Sequence, residues 1–193
     1  EPEQIPTELI VDASRSVIAR NDSPDIPFDQ SINPYRGCAH GCIFCYARPT
    51  HAFLDLSPGL DFETKLLYKP RAAELLREEL ARPGYRCRFI MLGSNTDPYQ
   101  PVERKLGITR SILEVLEETS HPVSITTRSA LILRDAELLA RMAGERLAEV
   151  QVSITTFDND LKRGLEPRSA SSLARLQVIR ELSASGVPVC VMA

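Results

Sequence analysis

FIMLGSNTDPYQPVERKLGITRSILEVLEETSHPVSITT, residues 89–127, holds one complete strand-helix-strand period. Phe89-Ile-Met-Leu92 is a short apolar run stopped by Gly93, the pattern of a buried strand. Ile108, Ile112, Val115 and Leu116 recur at helical spacing within a helix expected over 102–118, and Val123-Ser-Ile-Thr-Thr127 is rich in β-branched residues, as a strand should be. The alternation continues in both directions. Upstream, Pro70 suits the first turn of a helix carrying Ala72, Leu75, Leu76 and Leu80 on its apolar face, and Pro83-Gly84 stops it. Downstream come a helix over 135–142, an alternating strand at Glu149-Val-Gln-Val-Ser-Ile154, a helix over 173–183 and a strand over 187–192.

With Ser31-Ile-Asn-Pro34 as a short first strand, five strands alternate with helices at the roughly thirty-residue spacing of a βαβ unit. They are expected to run parallel with helices packed outside them. The fold class is therefore α/β, a partial parallel (β/α) barrel. No helix covers the fifth strand, so the barrel is expected to be incomplete at its C-terminus, as a piece of a longer protein would be. Residues 1–30, with Pro2, Pro6, Pro24 and Pro27, read as an extended arm, and 31–193 as the barrel domain. Residues 51–69, punctuated by Pro58-Gly59, read as irregular.

The chain has 193 residues, 43% hydrophobic and 25% charged, with a formal net charge of −3. That is enough for one domain with a substantial core, and it offers no global attraction to a phosphate backbone. No run approaches the ~18 consecutive apolar residues of a membrane helix. Glu1-Pro-Glu-Gln-Ile-Pro6 lacks the basic start and apolar centre of a secretory signal, so a cytoplasmic location without membrane contact is expected. In a reducing compartment, five cysteines point to metal or catalysis before disulfides. Cys87 and Cys190 lie in apolar runs and read as small hydrophobes. Arg86 with Arg88, and Lys162 with Arg163 and Arg168, read as solvated basic faces.

The other three cysteines fall in Gly37-Cys-Ala-His-Gly-Cys-Ile-Phe-Cys-Tyr46. Three thiolates on one short loop describe a metal centre with an open coordination position. A closed Cys3His zinc site, completed by His40, His51 or His121, would ordinarily take its ligands as two pairs from two loops, and no second pair exists. A ferredoxin-type cluster needs a fourth cysteine soon after the third, and none follows Cys45. Dinucleotide-binding, phosphate-loop, zinc-protease and serine-hydrolase motifs are absent, which leaves those activities without support.

The C-x3-C-x2-C spacing ahead of an α/β repeat resembles the radical S-adenosylmethionine (SAM) superfamily and, within it, the spore photoproduct lyase-related, DNA repair photolyase-like proteins. Beyond the cysteines the resemblance rests on Met91-Leu-Gly-Ser-Asn-Thr-Asp-Pro-Tyr-Gln-Pro101, Ile125-Thr-Thr-Arg-Ser129, Val152-Ser-Ile-Thr155 and Leu165-Glu-Pro167 with Arg175 downstream. It implies that Cys38, Cys42 and Cys45 hold three irons of a [4Fe-4S] cluster whose fourth iron chelates SAM. Reductive cleavage of SAM to a 5′-deoxyadenosyl radical would then abstract hydrogen from a substrate the sequence does not name, with an electron donor of flavodoxin or ferredoxin type. Phe44 fills the family's aromatic position before the last cysteine, and Tyr46 would lie beside the adenine. Gly93, Ser94, Asn95 and Asp97 would meet the SAM amino group. Arg128, where relatives commonly have Lys, would pair with the methionine carboxylate, a role that suits a guanidinium fork. Ser153 would hydrogen-bond the ribose or the carboxylate. All follow strand ends, where parallel α/β folds bind ligands.

Each position also has a plain structural reading. Arg128 would be solvated, Ser153 would bond a neighbouring carbonyl, and Asp97-Pro98 would be only a turn. His40 is expected to be exposed or bonded to loop backbone, and Glu166 with Arg175 to form a surface pair of little energetic consequence. Spore photoproduct lyase carries a cysteine after its second strand that returns hydrogen to the product radical, whereas Gly93-Ser-Asn-Thr-Asp97 has no thiol. With the acidic net charge, this weighs against thymine-dimer repair. The alternative from another class is a nucleic-acid-associated, repair-like protein whose cluster is structural or sensory.

Overall fold

In the computed structural model, which describes residues 6–193, nine strands form two sheets. They are β1 (Glu8–Val11), β2 (Ile18–Arg20), β3 (Gln30–Ile32), β4 (Tyr35–Arg36), β5 (Lys65–Tyr68), β6 (Ile90–Leu92), β7 (Val123–Thr127), β8 (Ala148–Ser153) and β9 (Val189–Met192). The helices are α1 (Asp61–Thr64), α2 (Ala72–Leu80), α3 (Glu103–Leu106), α4 (Ile108–Glu118), α5 (Ala136–Gly144), α6 (Asn159–Leu165) and α7 (Ser172–Ala184), with 3-10 turns at Arg48–Leu54 and Ala130–Asp135. Among the described residues no helix is long and apolar enough to cross a membrane.

The larger sheet runs in the order β2-β3-β6-β7-β8-β9, and the five strands expected from the repeat, β3 and β6 to β9, are mutually parallel. Strand pleating gives the sheet two unlike faces. Ile90, Leu92, Val123, Ile125, Val150 and Val152 point toward the helices and join Ile112, Leu113 and Leu116 of α4, Leu138, Leu139 and Met142 of α5, and Val178 and Leu182 of α7 in one buried core. On β7 and β8 the alternate positions, Ser124, Thr126, Glu149, Gln151 and Ser153, are polar. Thr126 Oγ1 lies 3.2 Å from Gln151 Oε1, and Gln151 Nε2 donates to Ser124 Oγ at 3.1 Å. One face therefore builds the core, and the other opens on a cavity lined by Met91, Thr126, Gln151 and Ser153.

Several local expectations are corrected. The helix expected over 102–118 is two helices, because Gly107 takes a left-handed conformation (φ 65°) that ends α3 and begins α4. Gly107 offers no side chain to cap α4; the buried Glu103 carboxylate does so from α3, accepting from Thr109 N at 3.0 Å and Arg110 N at 3.4 Å. Residues 51–69 are not irregular: they hold most of a 3-10 turn, α1 and β5. β5 joins β1 and β4 in the second, three-stranded sheet. Within the arm, of which residues 1–5 lie outside the described residues, β1 pairs with β5 and β2 with β3. Cys87 and Cys190 are exposed rather than packed. Cys87 precedes β6, and Cys190 pairs across from Gln151 on the face opposite the helices. Lys162 is buried, not solvated, with Nζ donating to Ser169 O at 2.6 Å.

Candidate functional site

Four separate segments hold the cysteine loop. Cys38 N donates to Phe62 O at 2.9 Å, Ile43 N to Leu165 O at 3.0 Å and Arg168 N to His40 O at 3.1 Å. The buried amide of Gln100 braces the backbone on both sides of Cys38, accepting from Ala39 N at 3.0 Å and donating to Gly37 O at 3.1 Å. Arg168 Nε donates to Ala39 O at 2.6 Å and Arg48 Nε to Cys42 O at 3.0 Å, while both guanidiniums also bond Glu63. Gly41 takes a left-handed backbone (φ 69°) that favours glycine, and a Cβ there would displace the Arg168 guanidinium and the Glu63 carboxylate.

Across from this loop, the turn after β6 is equally constrained. Gly93 takes φ 90°, and a Cβ would meet Pro98 Cδ at 2.5 Å and Thr126 O at 2.8 Å. Asn33 holds the turn from β3, donating through Nδ2 to Ser94 Oγ at 3.0 Å and accepting from Asn95 N at 2.8 Å. Asp97 is more than a turn residue. Its carboxylate accepts from Tyr99 N at 2.8 Å, Thr127 Oγ1 at 2.8 Å and Arg128 N at 2.7 Å, and His40 Nδ1 lies 3.4 Å away. His40 is buried, contrary to expectation, and burial holds its pKa below the ordinary histidine value despite Asp97. The Tyr46 phenol donates to Ser94 O and so bridges the loop to the turn.

The third wall comes from β7 and β8. Arg128, at the end of β7, is 28% exposed; its Nε donates to Glu166 Oε2 at 3.1 Å and its guanidinium lies 5.5 Å from the Phe44 ring centre. Glu166 and Arg175 are not a surface pair: both side chains are fully buried and bonded to each other. Arg175 also donates to Ser153 O at 2.7 Å. Cys38, Cys42, Cys45, Phe44, Tyr46, Gly93, Ser94, Asn95, Asp97, Arg128 and Ser153 all line one cavity of about 380 Å³.

The chemistry of this donor set fits a [4Fe-4S] cluster with one iron left open. Three soft thiols from one loop face the cavity, Cys38 and Cys42 buried and Cys45 half-buried. Burial pushes the Cys38 thiol well up and the Cys42 thiol to about 11, so metal binding has to expel both protons. Zinc fits poorly. A closed tetrahedral zinc site needs a fourth protein ligand beside the three thiols, and the histidines are the residues that would have to supply it. The histidines have other contacts: His40 faces Asp97, His51 Nε2 is 3.0 Å from Lys65 O, and His121 Nε2 is 2.7 Å from the Tyr85 phenol. Sequence reasoning gave no site role to Asn33, Gln100, Arg48 or Arg168, although Gln100 lies inside the quoted 91–101 motif. Arg168, read as part of a solvated basic face, is instead turned onto Ala39 O and Glu63.

Residues 32–193 match the family model of the Radical SAM superfamily. The chain is 40% identical over 167 residues to an uncharacterized protein of Mycobacterium tuberculosis, an alignment covering 86% of this chain and 49% of that protein. It is 28% identical over 156 residues to an uncharacterized protein of Methanocaldococcus jannaschii, covering 81% and 56%. The chain thus spans about half the length of the curated relatives it matches. A point mutant of spore photoproduct lyase superposes with a TM-score of 0.67 at 16% identity, covering 95% of this chain and 50% of the other. A double mutant of that lyase with bound AdoMet and dinucleoside spore photoproduct gives a TM-score of 0.64 at 14% identity, covering 96% and 50%. At such identities the likeness is one of fold.

Proposed function

Since the chain belongs to the radical SAM superfamily, whose members use a [4Fe-4S] cluster and SAM, we propose that Cys38, Cys42 and Cys45 hold the cluster and that the adjoining cavity seats SAM for reductive cleavage. When bound, the cluster supplies the electron that breaks a sulfonium C–S bond, giving methionine and a 5′-deoxyadenosyl radical that abstracts hydrogen from a substrate. One observation carries the reading: the cysteine loop, the turn after β6 and the ends of β7 and β8 converge on a single cavity.

The chain's own residues divide the work. Arg128 takes the methionine carboxylate, being the one Lys or Arg among the described residues that line the cavity. Asp97 has its oxygens engaged by Tyr99, Thr127 and Arg128, so it fixes the turn, and the Gly93 to Asn95 backbone meets the amino group. Tyr46 closes over the adenine, and Ser153 lies within the wall that faces the ribose. The thiols call for a reducing compartment, the cytoplasm, and an electron donor of flavodoxin or ferredoxin type.

Anaerobic reconstitution of the full-length protein followed by dithionite and SAM tests this. The expected product is 5′-deoxyadenosine, lost in Cys42→Ala. Cluster absorbance with no cleavage of SAM would overturn the catalytic reading in favour of a structural or sensory cluster.

A further inference from the structure

Glu166 is fully buried at the edge of the site, and it serves two cations. Its Oε2 accepts from Arg128 Nε at 3.1 Å and lies 3.3 Å from an Arg175 terminal nitrogen; Oε1 accepts from the other. Arg175 in turn is fixed on every side, donating to Ala170 O at 3.0 Å, Ser153 O at 2.7 Å and Ser169 Oγ at 3.3 Å. Arg128 differs. Its Nε is held, the Phe44 ring lies 5.5 Å from its guanidinium, and its two terminal nitrogens have no hydrogen-bond partner among the described residues.

Resting on the assignment of Arg128 as the clamp for the methionine carboxylate, we propose that Glu166 is the positioning residue that orients that clamp, with Arg175 as its buried anchor. An arginine side chain is long and loses its freedom only when its donors are satisfied in a fixed direction. Glu166 supplies that direction from the Nε edge and leaves the forked edge to bond a carboxylate. In the order Arg175, Glu166, Arg128 the charges alternate, and the row ends on a cation that a ligand carboxylate continues. Because Arg175 bonds the Ser153 carbonyl, the same row also ties the end of β7 to the end of β8.

The test is equilibrium binding to the anaerobically reconstituted full-length protein, with SAM and with decarboxylated SAM, which differs only in lacking the carboxylate. Glu166→Gln is expected to weaken SAM by about tenfold, the loss of one charge-assisted contact, and to leave decarboxylated SAM unchanged. Glu166→Asp retains the negative charge that the buried Arg175 needs but shortens the carboxylate's reach to Arg128, so it is expected to show the same selective loss and decides the matter if the Gln variant does not fold. In an Arg128→Ala background, Glu166→Gln is expected to cost no further SAM affinity. Equal losses for both ligands, or additive losses in the double variant, would overturn the proposal and reduce Glu166 to a structural residue. If Arg128→Ala alone leaves SAM binding unchanged, the clamp itself is wrong; if it weakens binding and neither Glu166 variant does, only the positioning role falls.

Discussion

Gln100 has no charge to attract notice, yet its amide braces the backbone on either side of Cys38. Replacing it with Ala leaves the buried Gly37 C=O without its partner, at about 1–3 kcal/mol, and returns the half-buried Ala39 N–H to water at smaller cost. Gln100→Ala is accordingly expected to lower both the urea-unfolding free energy, by about 2 kcal/mol, and the iron bound per chain after reconstitution; full iron content would show that the loop does not need this brace. The sequence exposes residues whose chemistry is rare and whose spacing is tight, and so Cys38, Cys42 and Cys45 stand out in it, whereas Arg128 is reached only through the family resemblance. An amide such as Gln100 or Asn33 carries no comparable signature. Glu166 and Arg175 mislead for the opposite reason: charged residues usually face water, and only the fold shows that these two satisfy each other away from it.

At the scale of elements, the split of α3 from α4 concentrates several demands on Glu103. It caps two amides of α4, accepts from the Tyr35 phenol and bonds Arg134, all from a fully buried position. Glu103→Ala is expected to destabilise the protein by about 3 kcal/mol, the cost of breaking a buried charge network from one side, with the loss read from chemical denaturation. A change under about 0.5 kcal/mol, typical of surface sites, would mean that solvent replaces the cap. Periodicity gave the helix its apolar face correctly, since Ile108, Ile112, Val115 and Leu116 are all buried. It missed the break because one glycine in a helical run is usually tolerated. β4 and β5 escaped for another reason: they lie outside the strand-helix repeat that reveals the equally short β3, β6 and β9.

For the molecule as a whole, the cysteine loop is shaped by protein contacts. Removal of iron is therefore expected to leave the fold intact and the Cys38, Ala39 and Ile43 amides protected, since each has a protein acceptor. Hydrogen exchange on chelated, anaerobic protein measures this; free exchange at all three would show that the metal builds the loop. The parallel sheet was legible because its repeat survives over five strands, whereas the second sheet gathers β1, β4 and β5 from places with no shared pattern. The fit of Gly41 beneath Arg168 reaches further still. Arg168 and Ala39 are 129 positions apart, yet the loop's backbone is moulded around that guanidinium. A chimera that exchanges this loop between relatives has to carry the Leu165 to Arg168 turn with it, because the motif transplanted alone arrives without its socket.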